Sequence, residues 1–167
     1  AGEVWAWAPF EIPPQATKGS LYRHQVTQAA VQAVAKALAR FEPGRLQPRP
    51  AHLPAFQHHW QPLLSAEARR IDWAGDDTAS VLRKIRSADG APGAPAQLFD
   101  AACRLFDAHP GPVLPAPQPG VAVARRGPAV LVGTRDASVW IGHVRREALK
   151  LATTTAFEAE AAALPEL

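Results

Sequence analysis

The chain has 167 residues, enough for one ordinary domain and part of a second, and its 47% hydrophobic and 20% charged content describes a folded soluble protein. No run approaches the roughly 20 apolar residues that span a bilayer. The opening AGEVWAWAPF lacks a secretory leader, and the single Cys103 excludes an internal disulfide, so a cytosolic protein is expected.

The net charge of +3 is unevenly spread: residues 69–150 carry twelve basic and eight acidic groups, and residues 151–167 carry three acidic and no basic ones. The middle segment could face phosphates, although a solvated basic face is the plainer reading. Seventeen prolines, about twice the usual share, predict few helices and stiff connections.

EVWAWAPFEI alternates Val4, Ala6 and Ala8 against Trp5, Trp7 and Pro9 and then meets Pro13–Pro14, which predicts a strand ended by prolines. Ser20 is a natural N-cap for a long helix over Leu21–Phe41, with Val26, Ala30, Val34, Leu38 and Phe41 on one apolar stripe. From Glu42 to Pro62 there are five prolines, three histidines and little periodicity, which predicts an extended connector pinned by Leu46, Leu53, Phe56 and Trp60.

IDWAGDDTASVLRKIRSADGAPG follows. Asp76 or Asp77 caps a short helix whose buried edge is Val81, Leu82 and Ile85, while Arg83, Lys84 and Arg86 point outward. Asp89–Gly90 ends it and Pro92–Gly93 turns the chain. Beyond it the tetrapeptide Leu-Phe-Asp-Ala occurs at 98–101 and 105–108, an echo that suits two strands joined by a tight turn. GVAVARR, PAVLVGT and SVWIGHVRR add three strands, separated by turn signals at Arg126–Gly127 and Arg135–Asp136. The expected class is α+β: five antiparallel strands between Gln97 and Arg146 forming a small open barrel of the oligonucleotide/oligosaccharide-binding kind. The Ala- and Glu-rich tail predicts a final helix stopping near Pro165.

Signatures of chemistry are scarce. There is no Gly-rich phosphate loop, HExxH, cysteine pair or GxSxG. His58–His59 beside Trp60 lack a nearby carboxylate or thiolate, so no metal site is assigned. His143 on a predicted strand is expected to be hydrogen-bonded structure, and Cys103 a buried thiol. Asp72 is expected to cap or to pair with an arginine, and Trp73 to seal the barrel edge.

EARRIDW, LRKIRSADGAPGA, LFDA and PGVAVARRGPAVLVGTRDASVWIGHVRR together resemble the C-terminal domain of formyltetrahydrofolate-dependent formyltransferases. SLYRHQV, IDWAGDDTASVLRKIRSADG, LFDAHP and VWIGHVRR more closely resemble the HypX/HoxX family of nickel–iron hydrogenase maturation, which joins a formyltransferase half to an enoyl-CoA-hydratase-like half. The resemblance covers nearly the whole chain. It implies that residues 1–41 are the last strand and helix of a Rossmann-like catalytic domain, 42–70 a connector, 71–150 the barrel domain, and 151–167 a helix leading to a following domain.

Ile71, Asp72, Trp73, Ile85, Arg86, Pro92 and Gly93 match the family's structural motif. Departures fall at Ala91, where a larger residue is expected, and at Lys150-Leu151-Ala152-Thr153. No position matches the family's catalytic Asn, His and Asp, so no catalytic residue is assigned, and a cofactor site on this chain is left unassigned. For the intact protein the resemblance implies formyltetrahydrofolate and coenzyme A as cofactors and carbon monoxide released for the hydrogenase metal centre. The chain itself would act as scaffold between catalytic and hydratase-like domains. Arg83, Lys84, Arg125, Arg126, Arg145 and Arg146 are candidates to face a polyanion, which keeps open a tRNA-binding domain of a methionyl-tRNA formyltransferase or a stand-alone barrel binding nucleic acid or a protein.

Overall fold

A computed structural model describes residues 4–40, 62–116 and 118–167. They belong to two compact units, Ala1–Leu63 and Leu64–Leu167.

In the first unit the helix is capped three residues earlier than expected. Thr17, not Ser20, is the N-cap: its hydroxyl accepts from the Ser20 amide at 3.1 Å, and the Ser20 hydroxyl accepts from the Thr17 amide at 3.0 Å. This reciprocal box satisfies two donors that a lone Ser20 cap would leave open. Helix α1 (Lys18–Leu21) runs through a π-helical turn at Tyr22–Val26 into α2 (Thr27–Leu38). The Thr27 hydroxyl donates to the Tyr22 carbonyl at 2.6 Å, occupying an acceptor inside the widened turn.

The expected stripe lies open, with Val34 at 58% and Leu38 at 64% exposure. Phe41 and the connector residues 42–61 lie outside the described residues. The strand expected at residues 3–12 does not form over the described residues 4–12. A strand exists through pairing, and no other described segment of this unit is a strand.

The second unit is a helix laid on an antiparallel sheet. Helix α3 (Thr78–Ala88) begins at Asp77, whose carboxylate accepts from the Ser80 amide at 2.8 Å. Val81 and Ile85 are fully buried, with Leu82 and Ala88 completing the inner edge. The strands are β1 (Ala94–Leu98), β2 (Ala101–Pro110), β3 (Ala122–Arg126), β4 (Ala129–Gly133), β5 (Ser138–Arg145) and β6 (Lys150–Ala152). The sheet order is β1-β2-β5-β4-β3, all antiparallel, and no pairing among the described residues closes β3 onto β1. The sheet is therefore open, as expected.

β6 is the addition to the predicted set. It pairs with β5 over 143–145, on the stretch of β5 that β4, paired over 138–141, leaves free. At the other edge Arg125 takes the C-terminal segment as a partner: its amide donates to the Pro165 carbonyl at 2.9 Å and its carbonyl accepts from Leu167 at 3.0 Å. An otherwise bare edge strand is thereby covered.

β1 begins at Ala94 rather than Gln97. Pro95 is tolerated there because β1 is an edge strand, and its carbonyl accepts from the Ile71 amide at 2.8 Å. The tail forms two short helices rather than one, α4 (Thr153–Ala156) and α5 (Glu158–Ala162). They break at Phe157, whose φ of −130° is not helical and whose ring is 1% exposed, in contact with Phe99 at 5.0 Å between centroids. Burying that ring in the core outweighs continuing an Ala-rich helix, because propensity is the weaker term.

Candidate functional site

The two Leu-Phe-Asp-Ala echoes take different forms. In the first, Phe99 (φ 48°) and Asp100 (φ 59°) are both left-handed and make a two-residue turn between Leu98 and Ala101. In the second, Phe106 lies in mid-strand and only Asp107 is left-handed, at φ 55°. Aspartate is among the few residues that visit this region, and Gly142 opposite leaves room: a Cβ there would collide with the Asp107 carboxylate. The alternation of faces slips at this pair, so Leu105 and Ala108, with Val144 and Ile141 across from them, all reach the main core.

Asp107 consequently bridges two histidines. Its Oδ1 accepts from His109 Nε2 at 3.0 Å and its Oδ2 from His143 Nδ1 at 2.9 Å. Partial burial pushes its pKa up, but the two imidazole hydrogen bonds outweigh this and hold the carboxyl below its ordinary range. His143 is thus a tie between β2 and β5. LFDAHP and VWIGHVRR meet in one seam, a link no sequence spacing reveals. Among the described residues no group of three His, Cys, Asp or Glu side chains has the geometry to hold a metal ion.

The IDW segment is a buttress. Ile71 is 5% exposed against the core. The Asp72 carboxylate accepts from the Ala74 amide at 3.2 Å, and the Asp72 amide donates to Asp76 Oδ2 at 2.9 Å, so Asp72 closes a local turn and forms no arginine pair among the described residues. Trp73 is half-buried: its indole N–H donates to the Gln97 carbonyl at 2.8 Å, and its ring lies against Gly120. Pro92 precedes Gly93 (φ 85°), where a Cβ would meet the Phe106 ring. Ile85 is in the core and Arg86 half-exposed on the same helix.

The six basic candidates do not form one patch. Lys84 turns inward to Asp76 at 2.7 Å and to the Arg70 carbonyl at 2.9 Å, because a half-buried carboxylate lies in reach. Arg83 is exposed on α3 and donates to Ser80 Oγ at 3.0 Å. Arg125 pairs with Glu166 at 2.9 Å, and Arg126 covers the Trp140 ring at 4.3 Å. Only Arg145 and Arg146 come together, with Arg70 and Arg104, in an open cleft of about 250 Å³. Cys103 also lines it, but burial raises its thiol to about 11, with Arg146 opposing weakly, so it is no nucleophile near neutrality.

Residues 63–161 match the family described as "Formyl transferase, C-terminal domain". The chain belongs to that family. The chain is 40% identical over 168 residues to the hydrogenase maturation factor HoxX of Bradyrhizobium diazoefficiens, covering 99% of this chain and 29% of the relative. It is 32% identical over 149 residues to a methionyl-tRNA formyltransferase of Parafrankia sp., covering 88% of this chain and 46% of that protein.

Among solved structures, HypX from Aquifex aeolicus in complex with tetrahydrofolic acid superposes with a TM-score of 0.87 at 38% identity, over 100% of this chain and 29% of that one. A multiply substituted variant of the same HypX gives a TM-score of 0.88. The chain thus spans less than a third of the HoxX and HypX proteins it matches. Among the described residues no helix is long and apolar enough to cross a membrane.

Proposed function

We propose that this chain is the non-catalytic C-terminal portion of the formyltransferase half of a HypX-type protein, acting in the cytosol. The observation that carries the reading is the likeness to HoxX and HypX across essentially the full length, first unit included. A formyl transferase C-terminal domain alone would account only for residues 63–161.

Residues 1–41 would close the catalytic domain, 42–70 connect, 71–150 form the C-terminal domain, and 151–167 lead to a hydratase-like domain. The open Val31, Val34 and Leu38 face of α2 supports the first assignment, since such a stripe is normally covered by a packed neighbour. In the parent protein the reaction would be formyl transfer from formyltetrahydrofolate to coenzyme A, followed by release of carbon monoxide for a hydrogenase. The tetrahydrofolate-bound HypX relative supports the folate part.

Acyl transfer needs a positioned base and a donor set for the developing oxyanion. On this chain no position matches the catalytic Asn, His and Asp that the resemblance implies, and burial keeps the Cys103 thiol protonated, so the second unit contributes shape and spacing. The test incubates the 167-residue chain, and separately the parent protein, with formyltetrahydrofolate and coenzyme A, and follows loss of the donor. Turnover by the parent and none by the chain is expected; turnover by the chain would overturn the scaffold assignment. Formylation of initiator tRNA by the parent would shift the reading to the methionyl-tRNA enzymes.

A further inference from the structure

We propose that the apolar shelf of Leu149 and Leu151 at the β5–β6 hairpin is the seat of the rest of the parent protein, which packs there as a permanent layer from the same polypeptide. The register of the sheet makes the shelf. Leu151 on β6 stands directly opposite Val144 on β5. Opposed residues of an antiparallel pair share a face, and Val144 is 0% exposed in the main core, so Leu151 projects on the core face of the sheet. Leu149, two residues earlier, lies on that side as well.

The cover stops short of both leucines. Helix α4 packs on β5 and β6, and Ala156 and Phe157 at its end join the core. Leu151 nevertheless remains 41% and Leu149 72% exposed. Between the hairpin and α4 lies an open groove of about 430 Å³, lined by Val144, Ala148, Leu149, Leu151, Thr155 and Ala156. Its floor belongs to the core, and its walls carry the same apolar surface out to solvent.

The groove is set before anything enters it. Arg146, on the hairpin loop, donates from Nη1 to the Ala156 carbonyl at 3.1 Å, and its guanidinium lies over the Phe157 ring at 4.9 Å. That tie fastens the loop to α4 and holds the two walls apart. A preformed apolar groove keeps most of the gain from burying its side chains, because little further ordering is needed.

Two observations select the occupant. The shelf continues the core through the Val144–Leu151 pair, and an extension of a core face calls for a standing cover, since adjacent large apolar groups left to water invite non-specific association. Cover from the same polypeptide is always at hand, at a high effective concentration. The relatives have the length to supply it, because this chain spans only 29% of HoxX and of the tetrahydrofolate-bound HypX. A small ligand suits the groove less well. Such sites orient their ligand with a few convergent polar groups, whereas the one cation lining this groove, Arg146, is turned to Ala156 and Phe157.

The inference rests on the HypX reading only in requiring a longer parent protein. The test places a photocrosslinking amino acid at position 149 of the parent, irradiates it and maps the joined peptides by mass spectrometry. The expected product keeps the mass of one polypeptide and joins position 149 to a peptide outside these 167 residues. A product of doubled mass would overturn the proposal in favour of a second copy. No crosslink, or crosslinks confined to the 167 residues, would also overturn it.

The isolated chain gives an independent check. Leu149→Gln should leave its melting temperature within about 2 °C of the unaltered chain, because an exposed side chain with no cover has little packing to lose. A larger fall would show that the shelf is already covered there and would overturn the proposal. A parent that forms the expected crosslink but transfers no formyl group to coenzyme A would sink the hydrogenase reading and leave the seat standing.

Discussion

Gly93, Trp73 and Asp107 are single side chains, or the lack of one, on which the second unit depends. Gly93 sits at φ 85° with the Phe106 ring where a Cβ would go, so Gly93→Ala combines left-handed strain with overpacking. A loss of about 2–4 kcal/mol in denaturant unfolding is expected. Trp73→Ala should cost about 2–3 kcal/mol, less than a fully buried tryptophan, whereas Trp73→Phe keeps the ring against Gly120 and loses about 1 kcal/mol with the bond to Gln97. Equal losses for both would show that the ring contact contributes nothing. Asp107 titrates below an ordinary aspartate because His109 and His143 bond its charged form. As pH falls through about 4 the unfolded chain takes up this proton first, so the stabilisation, complete above that range, is lost on further acidification. Urea midpoints measured from pH 6 to 2.5 should fall in the native chain and fall less steeply in Asp107→Asn.

Helix α3 is an element set by its ends. Asp77 caps it, and Asp136, from the β4–β5 turn, accepts from the Thr78 amide at 2.8 Å and the Thr78 hydroxyl at 2.7 Å. Side-chain and backbone hydrogen bonds, from Ser80 and Thr78 respectively, lower the pKa of each carboxyl. Both carboxylates also favour the positive end of the helix dipole. Asp77→Ala should lower the melting temperature at pH 7, and the difference from the native chain should shrink on acidification as the native carboxyl also protonates. α2 shows the opposite balance: the capping box at Thr17 starts the run, but Val31, Val34 and Leu38 are exposed among the described residues. Cap and periodicity predicted the helix, while the π turn came from no local signal.

For the whole molecule, the second unit has a fully buried core and the first, over its described residues, has none. Substitutions should therefore divide by unit. Val34→Gln and Leu38→Gln are expected to leave the melting of the 167-residue chain within about 0.5 kcal/mol, and Ile85→Ala to cost about 3 kcal/mol. A large loss from Leu38→Gln would show that the stripe is covered in the isolated chain. In the parent protein the same two substitutions should become costly, if α2 packs there against the rest of a catalytic domain.

The sequence by itself determined what rests on short-range physics: the α3 cap at Asp77, the antiparallel strand runs and their turns, and the motifs that relate the chain to formyltransferase C-terminal domains. Each needs only neighbours within a few residues. Pairing across the sheet decided the rest. That Arg104 faces Arg145, that Asp107 gathers His109 and His143, and that β6 fills the free stretch of β5 follow from register, which depends on which distant faces are buried together. Lys84 turned inward because Asp76 lay within reach once the chain folded, and the tail broke at Phe157 because a ring was worth more in the core than on a helix surface. The strand expected near Val4 failed for the converse reason: alternation prepares a strand, but only a partner strand satisfies its backbone.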